Sequence, residues 1–236
     1  VMAATVLALG EFFTMMLDDR VERWFSVGLG VLVAVGLYWW PTSWIALGPV
    51  VVVVAALFYL FRLREIETSM ARLGTTVFGV FYTAVPLTFV ALVKRTDESN
   101  AGAWVFLILL TAWFGDTAAY FAGRFLGRRK LYPAVSPGKT WAGAVGGLVG
   151  SLGAAALANL WFFPELGWGH GAVVTLVGGA LGQCGDLVES LLKRSRNVKD
   201  SGNLLPGHGG ILDRIDAVLF IAPWVYLYAS WAWAPA

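Results

Sequence analysis

The sequence predicts an all-α polytopic integral membrane protein with about eight transmembrane helices. Three observations lead to this fold class. Of the 236 residues, 58% are hydrophobic and only 14% are charged, whereas about 25% of the residues in a soluble domain are charged. The mean hydropathy is +0.70. The apolar residues also form runs long enough to cross a bilayer, and most of these runs lack the polar stripe of a soluble helix.

Eight segments have the composition of membrane spans, which need about 20 mostly apolar residues. In chain order they are residues 1–17, 24–40, 43–61, 73–93, 101–123, 141–163, 171–192 and 215–233. The first two are short, and the chain opens directly inside an apolar run at Val1. We therefore expect the chain to be truncated at its N-terminus relative to the complete protein.

The connections between these segments alternate in charge. Fifteen of the seventeen Lys and Arg residues lie in four of them, residues 18–23, 62–72, 124–140 and 193–214. The positive-inside rule predicts that these four connections face the cytoplasm. Tryptophans near the predicted helix ends are typical of a membrane–water interface. They are Trp39, Trp40, Trp44, Trp161, Trp168, Trp231 and Trp233.

Composition also excludes other classes of protein. The net charge of +2 is too small to indicate a nucleic-acid partner, and the single cysteine, Cys184, excludes an internal disulfide. Glycines recur at four-residue spacing in two segments, which favours close helix packing, with backbone room for a ligand as the alternative. The pairs are Gly143 and Gly147, Gly146 and Gly150, and Gly178 and Gly182.

Acidic side chains inside membrane helices are energetically costly and usually functional. Five lie toward the predicted cytoplasmic ends of spans: Asp116, Asp186, Glu189, Asp213 and Asp216. Helical spacing places Asp116, Tyr120 and Arg124 on one face. It does the same for Asp186, Glu189 and Lys193. Carboxylate oxygens without a cysteine cluster suit a hard cation such as Mg²⁺.

Basic residues accompany these carboxylates along the sequence. They are Arg124, Arg128, Arg129, Lys130, Lys139, Lys193, Arg194, Lys199 and Arg214. Carboxylates together with many cations are the combination that binds phosphate groups through a metal. The alternative is that the cations only follow the positive-inside rule and contact anionic lipid head groups.

Two glycine-containing stretches bear on phosphate binding. "PGHGG" predicts a turn in which glycine N–H groups approach an anion. His208 within it is a base, a phosphate donor or a structural hydrogen bonder, and these alternatives stay open. "SPGKT" ends like a P-loop, but Pro133 stands where that motif has its first glycine, and no strand is predicted before it. We therefore exclude a P-loop, while Lys139 remains a candidate phosphate ligand.

The polar stretch that precedes the last predicted span resembles a known family. The stretch from Ser190 to Asp216, "SLLKRSRNVKDSGNLLPGHGGILDRID", closely resembles the signature of phosphatidate cytidylyltransferases (CDP-diacylglycerol synthases). Every fixed position of S-x-x-K-R-x-x-x-x-K-D-x-G-x-x-x-P-G-H-G-G-x-x-D-R-x-D is matched. "GDTAAYFAGRFLGRRKLYPAVSPGKTWAG" resembles the middle block of that family. Two positions depart from it, because the family commonly has Lys at Gly138 and Glu at Ala142.

The resemblance implies that CTP and phosphatidic acid react to give CDP-diacylglycerol and pyrophosphate in phospholipid biosynthesis. It implies Mg²⁺ as cofactor, with or without a second, monovalent cation. It also implies a homodimer in the bacterial inner membrane with its active site on the cytoplasmic face. The chain is then a single transmembrane domain in which residues 1–100 are N-terminal helices. Residues 101–236 form the catalytic part, with cytoplasmic loops 124–140 and 193–214.

The resemblance also assigns roles to residues. The expected catalytic residues are Asp186, Asp213, Lys193, Arg214 and His208. Asp186 and Asp213 are the expected metal-binding pair, while Asp116, Glu189 and Asp216 are further ligands or partners of the ligands. The residues expected to bind or shape the phosphate site are Arg124, Lys139, Arg194, Lys199, Asp200, Gly207, Gly209 and Gly210.

Two other kinds of membrane protein also use carboxylates of this type. CDP-alcohol phosphotransferases also place aspartates at the membrane edge, but their D-G-x-x-A-R motif is not found in the sequence. An ion-coupled transporter also uses intramembrane carboxylates. Transporters often contain inverted repeats with broken helices, whereas the carboxylates in this chain concentrate in its C-terminal half at one predicted membrane face.

Overall fold

The computed structural model describes residues 1–62, 65–204, 207 and 209–233, without the side chains of residues 43 and 44. This described part is almost entirely helical. Its α-helices are α1 Met2–Met16, α2 Arg20–Trp39, α3 Trp44–Phe61, α4 Ile66–Gly79, α5 Val85–Thr96, α6 Ala101–Leu126, α7 Trp141–Leu157, α8 Trp168–Ser195 and α9 Leu212–Trp231.

Shorter elements join or extend these helices. A π-helical turn at Val80–Ala84 joins α4 to α5, and another at Ala158–Phe162 extends α7. Single 3₁₀ turns lie at Pro41–Ser43 and Pro164–Leu166. Strand β1, Lys130–Tyr132, pairs antiparallel with β2, Ser136–Thr140. The sequence predicts an irregular connection at this place, so the hairpin is an addition to the all-helical prediction.

Each of the eight predicted segments lies on a helix, which agrees with an all-α membrane protein. Within the described ranges, five helical runs are long and apolar enough to cross a membrane. They are Arg20–Trp39, Ile66–Thr96, Ala101–Leu126, Trp141–Phe162 and Trp168–Ser195. The count of about eight spans is not confirmed, because Met2–Met16 and Ile45–Phe61 are shorter apolar helices and α9 is not among the five runs.

One predicted connection is largely helical. Residues 62–72 are predicted to lie between spans, but α4 begins at Ile66 and continues through the π turn and α5 to Thr96. The charged first turns of α4 extend the helix beyond the apolar run that marks the span. Arg72 lies on this helix and forms an ion pair with buried Glu22 of α2 at 2.9 Å.

The described chain divides into two compact units. The first consists of Val1–Thr88 and Asp200–Arg214, and the second consists of Phe89–Lys199 and Ile215–Ala236. The first unit has an aromatic core in which Phe12 and Phe13 are fully buried. A side chain at Gly79 would overlap both rings, so the absence of a Cβ atom there allows the helices to approach closely.

The core of the second unit contains an aromatic cluster. Trp104 of α6, Phe163 and Trp233 meet edge to face, with ring centroids 5.0 to 5.7 Å apart. This is a favoured aromatic geometry. Trp233 is only 7% exposed, so its predicted place in an interfacial belt is wrong. Trp39, Trp40, Trp161, Trp168 and Trp231 are more than half exposed, as the belt requires, and the side chain of Trp44 lies outside the described residues.

Glycines bring α6 and α7 together in the second unit. A Cβ atom at Gly146 would overlap Ala122, and one at Gly150 would overlap Ala118 and the backbone of Phe114. The packing interpretation of the four-residue glycine spacing is therefore confirmed for α7. This glycine face is used within the chain, against α6.

Candidate active site

A cavity of about 450 Å³ lies in the second unit between α6, the hairpin, α7 and α8. α6 contributes Asp116, Tyr120 and Arg124 to its wall, and α8 contributes Gln183 and Asp186. The remaining lining residues are Ala119, Gly123, Leu131, Gly138, Lys139, Thr140, Gly143 and Ala144. The predicted common face of Asp116, Tyr120 and Arg124 is confirmed, and the Arg124 guanidinium donates to the Tyr120 hydroxyl at 3.3 Å.

The hairpin places Lys139 in this cavity. β2 runs directly into α7, and Thr140 caps that helix by accepting a hydrogen bond from the Gly143 N–H at 3.1 Å. The stretch "SPGKT" is therefore strand β2 itself and not a phosphate-binding loop. The expectation that no strand precedes it is wrong, because β1 does. A three-residue strand is too short for a periodic pattern to reveal.

Lys139 and Asp186 form the central ion pair of the cavity. The Lys139 Nζ lies 2.6 Å from the Asp186 Oδ2, and the two side chains are 23% and 35% exposed. Ser190, one turn further along α8, donates to the Asp186 Oδ1 at 3.4 Å. Both charged groups remain accessible to solvent. Lys139 can therefore bind an anionic ligand in place of Asp186, and Asp186 can bind a cationic ligand in place of Lys139.

Three aspartates of the second unit influence one another electrostatically. Asp116 and Asp216 both interact with the charge of Asp186, and Asp116 also interacts with Lys139. The Asp216 Oδ1 accepts a hydrogen bond from the Ala217 N–H at 2.7 Å. Among the described residues, no group of three His, Cys, Asp or Glu side chains is close enough to hold one metal ion.

Glu189 and Lys193 form a second ion pair on α8. The Lys193 Nζ donates to the Glu189 Oε2 at 3.1 Å, and the Glu189 side chain is only 1% exposed. The predicted common face of the two residues is thus confirmed. Their expected roles, as metal partner and phosphate ligand, remain predictions.

The polar loop after α8 starts with a defined helix end. Asn197 has φ 56°, in the left-handed region. The Val198 N–H donates to the Lys193 carbonyl at 3.0 Å, and the Asn197 N–H donates to the Arg194 carbonyl at 3.1 Å. These two bonds form a Schellman motif, which ends the helix and redirects the chain.

Asp213 organises the other end of the loop, within the first unit. Its Oδ2 accepts hydrogen bonds from the Ser201 N–H at 2.9 Å, the Ser201 hydroxyl at 2.9 Å and the Gly210 N–H at 2.8 Å. Gly207 and Gly209 have φ of 76° and 79°, which glycine adopts without strain. The Gly210 N–H thus donates to the carboxylate of Asp213, and the binding of a phosphate by the glycines of this turn stays a prediction.

Sequence reasoning missed Glu11, which contacts the same loop. Its carboxylate accepts hydrogen bonds from the Ile211 and Leu212 N–H groups, both at 2.9 Å. A signal was present, because Glu11 is an acidic residue in the middle of the apolar helix α1. It was not recognised because its partners lie about two hundred residues away in the sequence.

Other expected site residues are exposed or lie outside the described ranges. Arg194, Lys199, Asp200 and Arg214 have exposed side chains. His208 lies outside the described residues, as do Leu205 and Pro206. Gly138 lines the cavity, and a Cβ atom there would have no neighbour within 4 Å. The cavity thus has open space where the resembling family carries a lysine.

An apolar cavity of about 360 Å³ adjoins the polar one in the second unit. The two share Leu131, Ala144 and Gln183 in their walls. The apolar cavity is otherwise lined by Tyr132, Leu148, Ala180, Cys184 and Leu187. A charged compartment and an apolar compartment are thus adjacent, an arrangement suited to an amphipathic ligand.

Comparison with known proteins gives a family and several relatives. The sequence profile of the Cytidylyltransferase family matches residues 1–232. The phosphatidate cytidylyltransferase of Bacillus subtilis is 40% identical over 155 residues, which are 66% of this chain and 57% of the relative. That of Brucella suis is 41% identical over 158 residues, with the same coverage. That of Staphylococcus haemolyticus is 45% identical over 130 residues, covering 55% and 48%. The chain spans about half the length of the curated relatives it matches.

Proposed function

The chain belongs to the cytidylyltransferase family, and from this premise we propose that it transfers the cytidylyl group of CTP to phosphatidic acid. The products are CDP-diacylglycerol and pyrophosphate. The observation that carries the proposal is the Lys139–Asp186 pair in a cavity that also contains Asp116 and Arg124. Such a cavity offers positive charge for phosphates and carboxylates for a cation at one place.

In the proposed reaction, an oxygen of the lipid phosphate forms a bond to the α-phosphorus of CTP. The bond from that phosphorus to the β-phosphate oxygen breaks, and pyrophosphate leaves with the electron pair. A phosphate monoester has a second pKa of about 6, so the attacking oxygen is already ionised near neutral pH. A strong general base is therefore not required. The main barrier is repulsion between two anions, which Lys139 and Arg124 reduce by binding phosphate oxygens.

The residues of the cavity fit Mg²⁺. This ion is usually bound by one or two carboxylates together with substrate phosphates, and Asp116 and Asp186 provide two carboxylates to one cavity. Bound there, Mg²⁺ neutralises charge on the phosphates. Lys139 would exchange Asp186 for a phosphate oxygen of the substrate. The role of Asp213 as a metal ligand, and a second, monovalent cation, remain predictions from the signature.

The adjoining apolar cavity supports a lipid substrate. Its lining of Leu131, Leu148 and Leu187 suits the start of an acyl chain, while the lipid phosphate lies in the polar cavity. We infer the bacterial inner membrane as location, because the relatives are bacterial. We infer a cytoplasmic active site, because the basic connections carry the phosphate-binding residues. About eight spans and a homodimer belong to the same proposal.

The test is a direct assay. Purified protein in lipid-containing micelles is given CTP, phosphatidic acid and Mg²⁺, and pyrophosphate and CDP-diacylglycerol are both measured. We expect equal amounts of both products and their loss when EDTA removes the metal. Absence of product from folded protein contradicts the proposal. Transfer of label from CDP-diacylglycerol to an alcohol, or solute uptake into vesicles, supports one of the two other functions instead.

A matched pair of variants ties the activity to the cavity. Lys139→Ala removes the cavity cation, and we expect kcat/KM to fall by about a hundredfold, as for loss of one donor to a developing charge. Lys130→Ala is the control, because Lys130 is an exposed lysine of the same hairpin and does not line the cavity. An equal effect of both substitutions contradicts the assignment of the site.

A further inference from the structure

Glu11 is the only charged residue of α1, whose sequence is "MAATVLALGEFFTMM". A carboxylate in an apolar helix is unfavourable unless it has hydrogen-bond donors. The donors come from the segment at the start of α9. The Ile211 N–H donates to the Glu11 Oε1 and the Leu212 N–H donates to the Oε2, both at 2.9 Å. Glu11 thus satisfies N–H groups that the first turn of a helix leaves without intrahelical partners.

Glu11 also reaches the opening of the same loop. The Ser201 Oγ lies 3.2 Å from the Glu11 Oε2 and 2.9 Å from the Asp213 Oδ2. A hydroxyl has one hydrogen, so it donates to one of these carboxylates at a time. Through Ser201, Glu11 is therefore connected to the aspartate that holds the Gly210 N–H. The two ends of the loop are fastened to each other and to α1.

Two glycines of the loop allow this contact. A Cβ atom at Gly202 would have only Glu11 atoms as its three nearest neighbours, the closest at 2.9 Å. A Cβ atom at Gly210 would overlap the Glu11 carboxylate and the Ser201 hydroxyl. Any side chain at either position would push the carboxylate away. The glycines and Glu11 are thus sterically matched.

We propose that Glu11 is a positioning residue for cytidylyl transfer, which holds Ser201 and the start of α9 and thereby fixes Asp213. This inference rests on the proposed function. Glu11 acts through the backbone amides at the start of α9 and through Ser201.

Glu11→Gln tests the proposal with almost no change of shape. The bidentate contact needs two acceptor oxygens, whereas glutamine has one oxygen and turns an NH₂ group toward an N–H donor. We expect kcat to fall about tenfold, as for loss of a charge-assisted hydrogen bond, with KM for CTP changed less than twofold. Amide exchange at Ile211 and Leu212 should accelerate. Glu67→Gln, in the exposed first turn of α4, is the control and should match the wild type.

A second comparison keeps the test decisive if Glu11→Gln folds poorly. Gly202→Ala should lower activity in the wild type, because the new methyl group meets Glu11. In the Glu11→Ala background it should have no further effect, because all three contacted atoms are gone. Equal losses in both backgrounds overturn the proposal. Wild-type kcat in Glu11→Gln, or lowered kcat with unchanged exchange at Ile211 and Leu212, also overturns it.

The outcomes separate this inference from the proposed function. If wild type and Glu67→Gln both form no CDP-diacylglycerol, the proposed function fails. Two measurements then still decide whether Glu11 holds the loop. They are the amide exchange at Ile211 and Leu212 and the unfolding temperatures of Gly202→Ala in the wild-type and Glu11→Ala backgrounds. If both form product and only Glu11→Gln is impaired, with faster exchange, both conclusions are supported.

Discussion

Asp213 has a set of observed hydrogen bonds, and a second role is predicted for it. Its Oδ2 accepts three hydrogen bonds from Ser201 and Gly210, and the family signature predicts that it also binds the metal. Asparagine keeps one acceptor oxygen for the loop donors but removes the negative charge. We therefore expect Asp213→Asn to abolish turnover while amide exchange at Ser201 and Gly210 stays slow. Exchange mass spectrometry and the pyrophosphate assay measure the two effects separately.

Asp213→Ala is the matched variant, because it removes both the charge and the acceptor. It should lose turnover and also accelerate exchange at Ser201 and Gly210. Near-normal turnover of Asp213→Asn at saturating Mg²⁺ would show that the charge is not needed, and the metal assignment would then be wrong.

Gly138 offers a test in which activity is gained. The resembling family commonly has lysine at this position, and the structure leaves the space beside its Cα atom open. A lysine there adds a cation to a cavity that already contains Lys139 and Arg124. We expect Gly138→Lys to lower KM for CTP roughly fivefold, the effect of about 1 kcal/mol of added attraction. Gly138→Ala adds bulk without charge and should leave KM unchanged, and a higher KM in Gly138→Lys contradicts this prediction.

At the residue scale, sequence reasoning worked where a short-range rule applies. Helical spacing brought Asp116, Tyr120 and Arg124 to one face, and the structure places them in one cavity. It failed for Glu11, whose function depends on donors far away in the chain. Spacing cannot reveal such a contact, although an acid in an apolar helix indicates that one exists.

At the scale of elements, the glycine face of α7 fixes its distance from α6. A side chain at Gly146 would overlap Ala122, so Gly146→Val forces the two helices apart. Overpacking of this kind costs about 1–3 kcal/mol of stability. We expect thermal unfolding in detergent micelles to occur at a lower temperature, with loss of activity because both helices line the cavity.

Val149→Ile is the control for this substitution, because Val149 lies on α7 but is 63% exposed. It should leave the unfolding temperature unchanged. If Gly146→Val also unfolds at the wild-type temperature, the close α6–α7 packing is wrong.

The elements that sequence reasoning missed have a common physical reason. The helices were predicted because long apolar runs give a strong signal. The hairpin consists of three and five residues, and β2 contains Pro137 and Gly138, which are depleted in strands. The start of α4 was missed because its polar turns, such as Glu67 and Arg72, lie outside the apolar run. Secondary structure outside the bilayer is therefore the less predictable part.

At the scale of the whole molecule, the grouping of chain segments was not accessible from the sequence. Asp200–Arg214 belongs to the same compact unit as Val1–Thr88, although more than a hundred residues separate them. The signature identified this loop by its chemistry. Its association with the N-terminal helices depends on tertiary contacts such as that of Glu11, which no local pattern encodes.

The distribution of Lys and Arg residues predicts the orientation of the whole chain in the membrane. The connections 124–140 and 193–214 each carry five Lys or Arg residues, whereas residues 164–170 carry none. Three of the five span-length helical runs, Ala101–Leu126, Trp141–Phe162 and Trp168–Ser195, lie between Glu98 and the end of α8. An odd number of crossings puts Glu98 and Ser195 on opposite sides, and the positive-inside rule puts Ser195 in the cytoplasm.

Single cysteines at these two exposed positions test the orientation, in a Cys184→Ser background that removes the natural cysteine. A membrane-impermeant maleimide should modify Ser195→Cys only in inside-out vesicles, because their outer surface is the cytoplasmic face. It should modify Glu98→Cys only in right-side-out vesicles. Labelling of both from the same side contradicts three crossings. If each cysteine is instead labelled only in the other type of vesicle, the three crossings are retained but the orientation is reversed. CTP would then have to reach the cavity from outside the cell.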